Sequence, residues 1–171
     1  MNASPWFVGA QDFGYDQLPA GAAGRSSYRA FVNGNKSSRQ GMVYVAANDG
    51  MVHGFNADSG IESYAYIPSE IVGDLNSLTD PSYRHRYYVD GTPISGDAYV
   101  GGSWKTYPVG SLGAGGKTVY AIDVTNPGAL GVNSINWEFT DPDLGYVVGR
   151  PSIARMANGS WAVIFGSGDT T

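Results

Sequence analysis

The stretch MVYVAANDGMVHGFNADSG, residues 42–60, contains two strand-length apolar runs, each closed by a turn. In the first turn Asn48, Asp49 and Gly50 are residue types that tolerate the positive φ of a tight hairpin. Ala57-Asp58-Ser59-Gly60 makes the second turn, and ESYAYI (62–67) follows as another short run. Three consecutive antiparallel strands are therefore expected. His53 falls mid-strand in this scheme and is read as a strand residue with a satisfied ring. The Asn48-Asp49-Gly50 turn is not a calcium loop. Such a loop needs alternating acids, and positions 51–55 are Met, Val, His, Gly and Phe.

The rhythm recurs. TYPVGSL (106–112), KTVYAIDV (117–124) and INWEFTD (135–141) form a second set, and RPSIARMANGSWAVIFGSGD (150–169) begins a third, with Asn158-Gly159 as its hairpin turn. Laid over one another, VHGFNADSG meets VYAIDVTNP and SYAYI meets NWEFT. Repeated strand–turn–strand units with glycine turns are the pattern of radially repeated sheets, each covering its neighbour's apolar face. The fold class expected is all-β, a partial β-propeller of about three blades, against about four to eight in a closed ring. A larger parent ring is the preferred explanation, because uncovered strand edges invite aggregation.

The largest interruption spans residues 68–101 and is read as an insertion between blades. Within it, SEIVGDLNSL places Ile71, Val72, Leu75 and Leu78 at helical spacing after a Ser69 cap, which predicts one short helix. Residues 1–41 carry little periodicity and read as a leader or linker, with residues 42–171 as the propeller domain. Inside the leader, SSYRAFVNGN (26–35) predicts a helical turn that lays Tyr28, Phe31 and Val32 on a neighbour and stops at Gly34.

Composition excludes several classes. The chain has 171 residues, a net charge of −5 and ten scattered basic residues, which argues against nucleic acid. No apolar run is long enough to insert in a membrane, and the start, MNASPWFVGAQDFGYDQ, has neither the basic nor the apolar region of a signal peptide. Cysteine is absent, so disulfides and Cys-ligated metals are ruled out.

Asp58 and Asp123 are read as equivalent positions that lock their turns through backbone N–H groups. GSLGAGGK (110–117) lacks phosphate-loop spacing and a following helix, and reads as a hairpin connection. Asp141 and Asp143 read as a turn initiator beside Arg150. No arrangement supports a nucleophile or a metal centre, so neither catalytic residues nor a metal site is expected. The densest polar-aromatic cluster is Tyr83, Arg84, His85, Arg86, Tyr87, Tyr88 and Asp90, inside the insertion. Arg and Tyr are favoured interface anchors, which makes this cluster the candidate partner-contact patch. The alternative role is an Arg–Asp network pinning the insertion to its blade.

The turns ADSGIESYAY and DVTNPGALGVNSINWEF look like quinoprotein-type repeats. Over residues 42–169 the longer runs YAYIPSEIV, LTDPSYRHRYYVDGTPISGDAYV and WEFTDPDLGYVVGRPSIARMANGSWAVIFGSG, together with the opening stretch, resemble the C-terminal propeller of the PilY/PilC family of type IV pilus biogenesis proteins. The segment FGYDQLPAG…YRAF looks like the lead-in to that propeller. The resemblance implies an exported protein, associated with the pilus or outer surface, that promotes pilus assembly, counters retraction and assists adhesion. Its partners would be pilins or other assembly proteins, or a host surface receptor. The family's Asp-rich calcium loop has no counterpart here, so calcium is not carried over to any residue and no cofactor is expected. The rival classes are a piece of a quinoprotein dehydrogenase, which would need pyrroloquinoline quinone, and a degenerate structural remnant.

Overall fold

A computed structural model describes residues 3–168, so Asp169, at the end of the third repeat set, lies outside the described residues. Four short strands, β1 (Trp6–Val8), β2 (Met42–Ala46), β3 (Val52–Asn56) and β4 (Glu62–Tyr66), form one antiparallel sheet in that order. A second four-stranded sheet runs in the order β5 (Ile94–Val100), β6 (Ser103–Ser111), β7 (Val119–Ile122) and β8 (Ile135–Phe139). A hairpin of β9 (Ser152–Arg155) and β10 (Trp161–Ile164) makes a third sheet. The first strand of the second sheet, β5, lies beside both β1 and β9. Sheets that follow one another in sequence and meet through their first strands are successive propeller blades.

Alternation within the strands explains the stacking, since successive side chains point to opposite faces. From β7, Tyr120 and Ile122 join Tyr44, Val52 and Tyr66 in a core between the first and second sheets. Val119 and Ala121 face the other way, toward Ile153, Trp161 and Val163 of the third. The turn at 48–50 forms as expected, with Gly50 at φ 95° and Leu75 packed where a side chain would otherwise project. The hairpin at Asn158-Gly159 and the connection between β6 and β7 also form. At 141–143 the Asp143 N–H donates to Asp141 Oδ1, closing a turn at that point.

Three expectations need correction. The interruption at 68–101 is shorter than expected, because Ile94–Val100 is a strand. Its polar and small residues hid it: Gly96 admits Ile153 at close range, and Asp97 is buried against partners distant in sequence. The expected short helix over 69–78 does form, as a 3-10 helix over Ser69–Thr79, but Pro68 rather than Ser69 is its N-cap. Gly34 does not end the helix near residue 30. The helix α1 (Arg25–Ala30) continues into a π-helical turn, Phe31–Lys36, where the Ser37 N–H reaches Val32 O at 3.0 Å. Tyr28, Val32 and Lys36 are its buried residues, whereas Phe31 is only half-buried.

The segment before β2 is thus closely integrated with the sheets. β1 pairs with β2 in the register Trp6↔Tyr44 and Val8↔Met42. The Trp6 indole donates to Ser95 Oγ at 3.0 Å, and the Trp104 indole donates to Gly24 O at 2.9 Å. Tyr15, Tyr28, Phe31, Tyr99, Trp104 and Trp161 pack ring against ring across this contact.

Candidate functional site

The candidate patch is delivered by the connection between the first two sheets, and both of its ends are fastened. At the entry, Ile71 is buried and the Ser69 N–H donates to the Glu138 carboxylate of β8 at 3.0 Å. The next residue, Glu70, accepts from the Lys117 N–H at 3.0 Å and from the Thr118 hydroxyl, just before β7. Asp80 then turns the chain, its side chain accepting from the Ser82 N–H at 2.7 Å. At the exit, Tyr88 and Val89 are fully buried, and the Asp90 N–H donates to Leu112 O at 3.1 Å.

Between these anchors the seven residues from Pro81 to Tyr87 are all exposed and belong to no helix or strand. Tyr83, Arg84, His85, Arg86 and Tyr87 are therefore presented together. Arg86 pairs with Asp74 at 2.7 Å, and both side chains remain nearly half exposed. That partner belongs to the same connection, so the pair braces the loop internally and does not bind it to a blade. His85 and Tyr87 meet edge to face at 5.4 Å between ring centres.

Two members of the sequence-derived cluster stand apart. Tyr88 is a core residue, 0% exposed, whose ring carries the Arg86 guanidinium at 5.1 Å on one side. Asp90 is half-buried. The alternation that ends the exposed run at position 88 had no signature in the tyrosine-rich sequence.

The Asn48-Asp49-Gly50 turn proves to be the neighbour of this loop, a link the sequence did not reveal. Asn48 Oδ1 accepts from the Tyr88 N–H at 3.1 Å, and Asp49 Oδ1 caps its own turn at the Met51 N–H. The other Asp49 oxygen contacts His53 Nε2 at 2.9 Å, while Glu62 contacts Nδ1 at 2.5 Å. Burial disfavours charge on His53, but the two carboxylates outweigh it and raise its pKa above the usual imidazole value. The carboxylates lie on opposite ring nitrogens, so the three groups do not converge on a common point. Asn48 Oδ1 and both Asp49 carboxylate oxygens are thus engaged within the protein. Among the described residues no group of three or more His, Asp and Glu side chains is placed to hold a metal ion.

Asp58 and Asp123 are not equivalent. Asn56 Oδ1 accepts the Asp58 and Ser59 N–H groups at 2.9 and 3.0 Å, whereas Asp58 itself accepts from Gln40 at 2.9 Å. Asp123 does lock its turn, through the Thr125 N–H at 3.1 Å, and it pairs with Lys105 at 2.7 Å. Burial raises the Asp123 pKa, but the bonds from Lys105 and Thr125 overcome this and leave it below the usual range. The overlay of VHGFN on VYAID already aligns Asn56 with Asp123.

Residues 1–171 match the family model of the PilY1 beta-propeller domain. The chain is 44% identical over 175 aligned positions to the type IV pilus biogenesis factor PilY1 of Pseudomonas aeruginosa (strain PAO1), covering 98% of this chain and 14% of that protein. A PilY1 homolog of Xylella fastidiosa is 45% identical over 148 residues, covering 84% of this chain and 10% of the relative. The crystal structure of the Pseudomonas aeruginosa PilY1 C-terminal domain superposes with a TM-score of 0.74 at 41% identity, covering 95% of this chain and 31% of that one.

Proposed function

Because the chain belongs to the PilY1 beta-propeller family, we propose that it is a non-catalytic binding module in type IV pilus biogenesis, acting through the exposed loop around Arg84 and Arg86. The observation that carries the reading is the contrast within the 68–93 connection: rigid attachment at Ser69, Glu70, Tyr88 and Val89, and unbroken exposure from Pro81 to Tyr87. Fixed ends lower the ordering cost of binding, and Tyr and Arg supply the contact area that hot spots use. The contacts would be with pilins or other pilus-assembly proteins, or with a host surface, at the pilus or outer surface of the cell. The chain spans 10 and 14% of the length of the two curated relatives described above, so this module is one part of such an activity.

The test is the double substitution Arg84→Ala/Arg86→Ala in the full-length protein, read as surface piliation and as recovery of pilus proteins with the purified protein. Loss of piliation and of recovery, with an unchanged thermal transition, is the expected result. Normal piliation by a stably folded double variant overturns the assignment to this loop.

A further inference from the structure

We propose that Lys36 and Asp97 are joined in the mature protein by an intramolecular amide bond between Nζ and Cγ, tying the π-helical turn before β2 to strand β5. Nζ lies 2.6 Å from Asp97 Oδ2, and both side chains are fully buried. The two hydroxyls beside the carboxyl have defined donor roles. The Phe13 N–H donates to Tyr28 Oη at 2.9 Å, which leaves the Tyr28 proton for Asp97 Oδ2 at 2.8 Å. Arg39 Nη1 donates to Thr106 Oγ1 at 2.8 Å, which leaves the Thr106 proton for Asp97 Oδ1 at 2.7 Å. Each carboxyl oxygen therefore receives a neutral hydroxyl, and a cationic nitrogen directly approaches only Oδ2. The Phe13 and Phe31 rings flank Nζ at 4.6 and 5.9 Å from their centres, and Nζ also donates to Gln11 O.

Such a setting penalises two buried ions, which lowers the cost of reaching the reactive neutral amine and acid by transfer of one proton from Nζ to Oδ2. Burial pushes the Lys36 ammonium below its ordinary pKa, which Asp97 only partly offsets. The amine lone pair then attacks Cγ, polarised through Oδ1 by Thr106. The Nζ–Cγ bond forms, the Cγ–Oδ2 bond breaks, and Oδ2 departs as water with the transferred proton and a second proton from Nζ. Ammonium plus carboxylate gives amide plus water, with no change of oxidation state. The product removes both buried charges and leaves Oδ1 as an amide carbonyl held by Thr106. In a chain without cysteine, it supplies a covalent tie across 61 residues of sequence.

Peptide mapping by mass spectrometry, on full-length protein purified folded from the cells that make it and then fully denatured, tests the bond. The expected result is one branched peptide containing Lys36 and Asp97, lighter than the sum of its parts by one water and uncleaved by trypsin after Lys36. The Lys36→Arg variant should give two separate peptides. Separate peptides from the unsubstituted protein, with cleavage after Lys36, overturn the proposal. So does a water loss that maps to Asp49-Gly50 or Asp90-Gly91, where aspartate can close to a cyclic imide.

Discussion

The Glu138 carboxylate, on the last strand of the second sheet, accepts the Ser69 backbone N–H of the first inter-blade connection at 3.0 Å. It also accepts the Tyr66 hydroxyl, so one side chain caps the 3-10 segment from outside and joins two blades. Hydrogen bonds to a charged group contribute about 1.5–3 kcal/mol each, less where water competes. Glu138→Ala is expected to cost about 1–2 kcal/mol, at the low end because the Ser69 contact is exposed. Glu138→Gln, which keeps an acceptor oxygen, should cost less. Denaturant midpoints of the two variants check the order, and equal costs would mean that the carboxylate is not the cap.

Tyr87 and Tyr88 are adjacent in sequence but opposite in environment, 41% and 0% exposed. Tyr88→Ala should cost about 3–5 kcal/mol, the range for emptying a buried aromatic site. Tyr87→Ala should change stability by no more than about 0.5 kcal/mol, as at other surface sites. Thermal denaturation of both variants measures the difference. It also sets the boundary of the contact loop: binding lost in Tyr87→Ala with stability intact assigns Tyr87 to the interface.

His53 gives a pH test. Its folded-state pKa is raised, net of the opposing effect of burial, by Glu62 and Asp49. A raised pKa means that the folded chain binds the proton more tightly than the unfolded one. The stabilisation is fully present below the unfolded value, about 6.5, and is lost as pH climbs through the folded value. Both carboxylates are substantially exposed, so the contribution is no more than about 1 kcal/mol. The stability difference between the unsubstituted chain and His53→Gln should therefore be larger at pH 5 than at pH 8. A difference that is flat, or larger at pH 8, would show that the paired imidazolium adds nothing.

Strands β2 to β4 and β6 to β8 were legible because each is an apolar run closed by turn residues, a purely local signal. Strand β1 was not, since three residues carry no period and Trp6 gains its place only by pairing with Tyr44. Strand β5 was not, since Ser95, Gly96 and Asp97 look like a loop until Trp6, Ile153 and Lys36 are set against them. The exposed run around Arg84 was legible as composition, but its limit at Tyr88 depended on Asn48, 40 positions earlier. Of the buried group of Tyr28, Lys36 and Asp97, only Tyr28 was expected to pack on a neighbour, and the two charged members were missed. Its one local trace was the spacing of Tyr28, Val32 and Lys36, four residues apart on one helical face.

Residues 1–41 read as a leader by composition, yet Val8, Tyr28 and Lys36 are buried against the sheets. Removing them would strip β1 from the edge of β2 and uncover Tyr44, Trp104 and the Asp97 carboxylate. An unpaired edge is destabilising, and in a chain without Lys36 there is neither ion pair nor amide for Asp97, whose unpaired carboxylate costs about 3–5 kcal/mol. That cost is a large part of a typical domain stability of about 5–15 kcal/mol. A chain starting at Met42 is therefore expected to lose its cooperative thermal transition and the near-ultraviolet signal of its packed tryptophans. Trp104→Ala in the intact chain, which removes the ring contacts with Tyr15, Tyr28, Phe31, Tyr99 and Trp161 and the bond to Gly24 O, should cost about 3–5 kcal/mol and keep a single transition. If the shortened chain melts as cooperatively as the whole one, the segment is a leader after all, and the contacts of Tyr28 and Lys36 add little to holding the blades together.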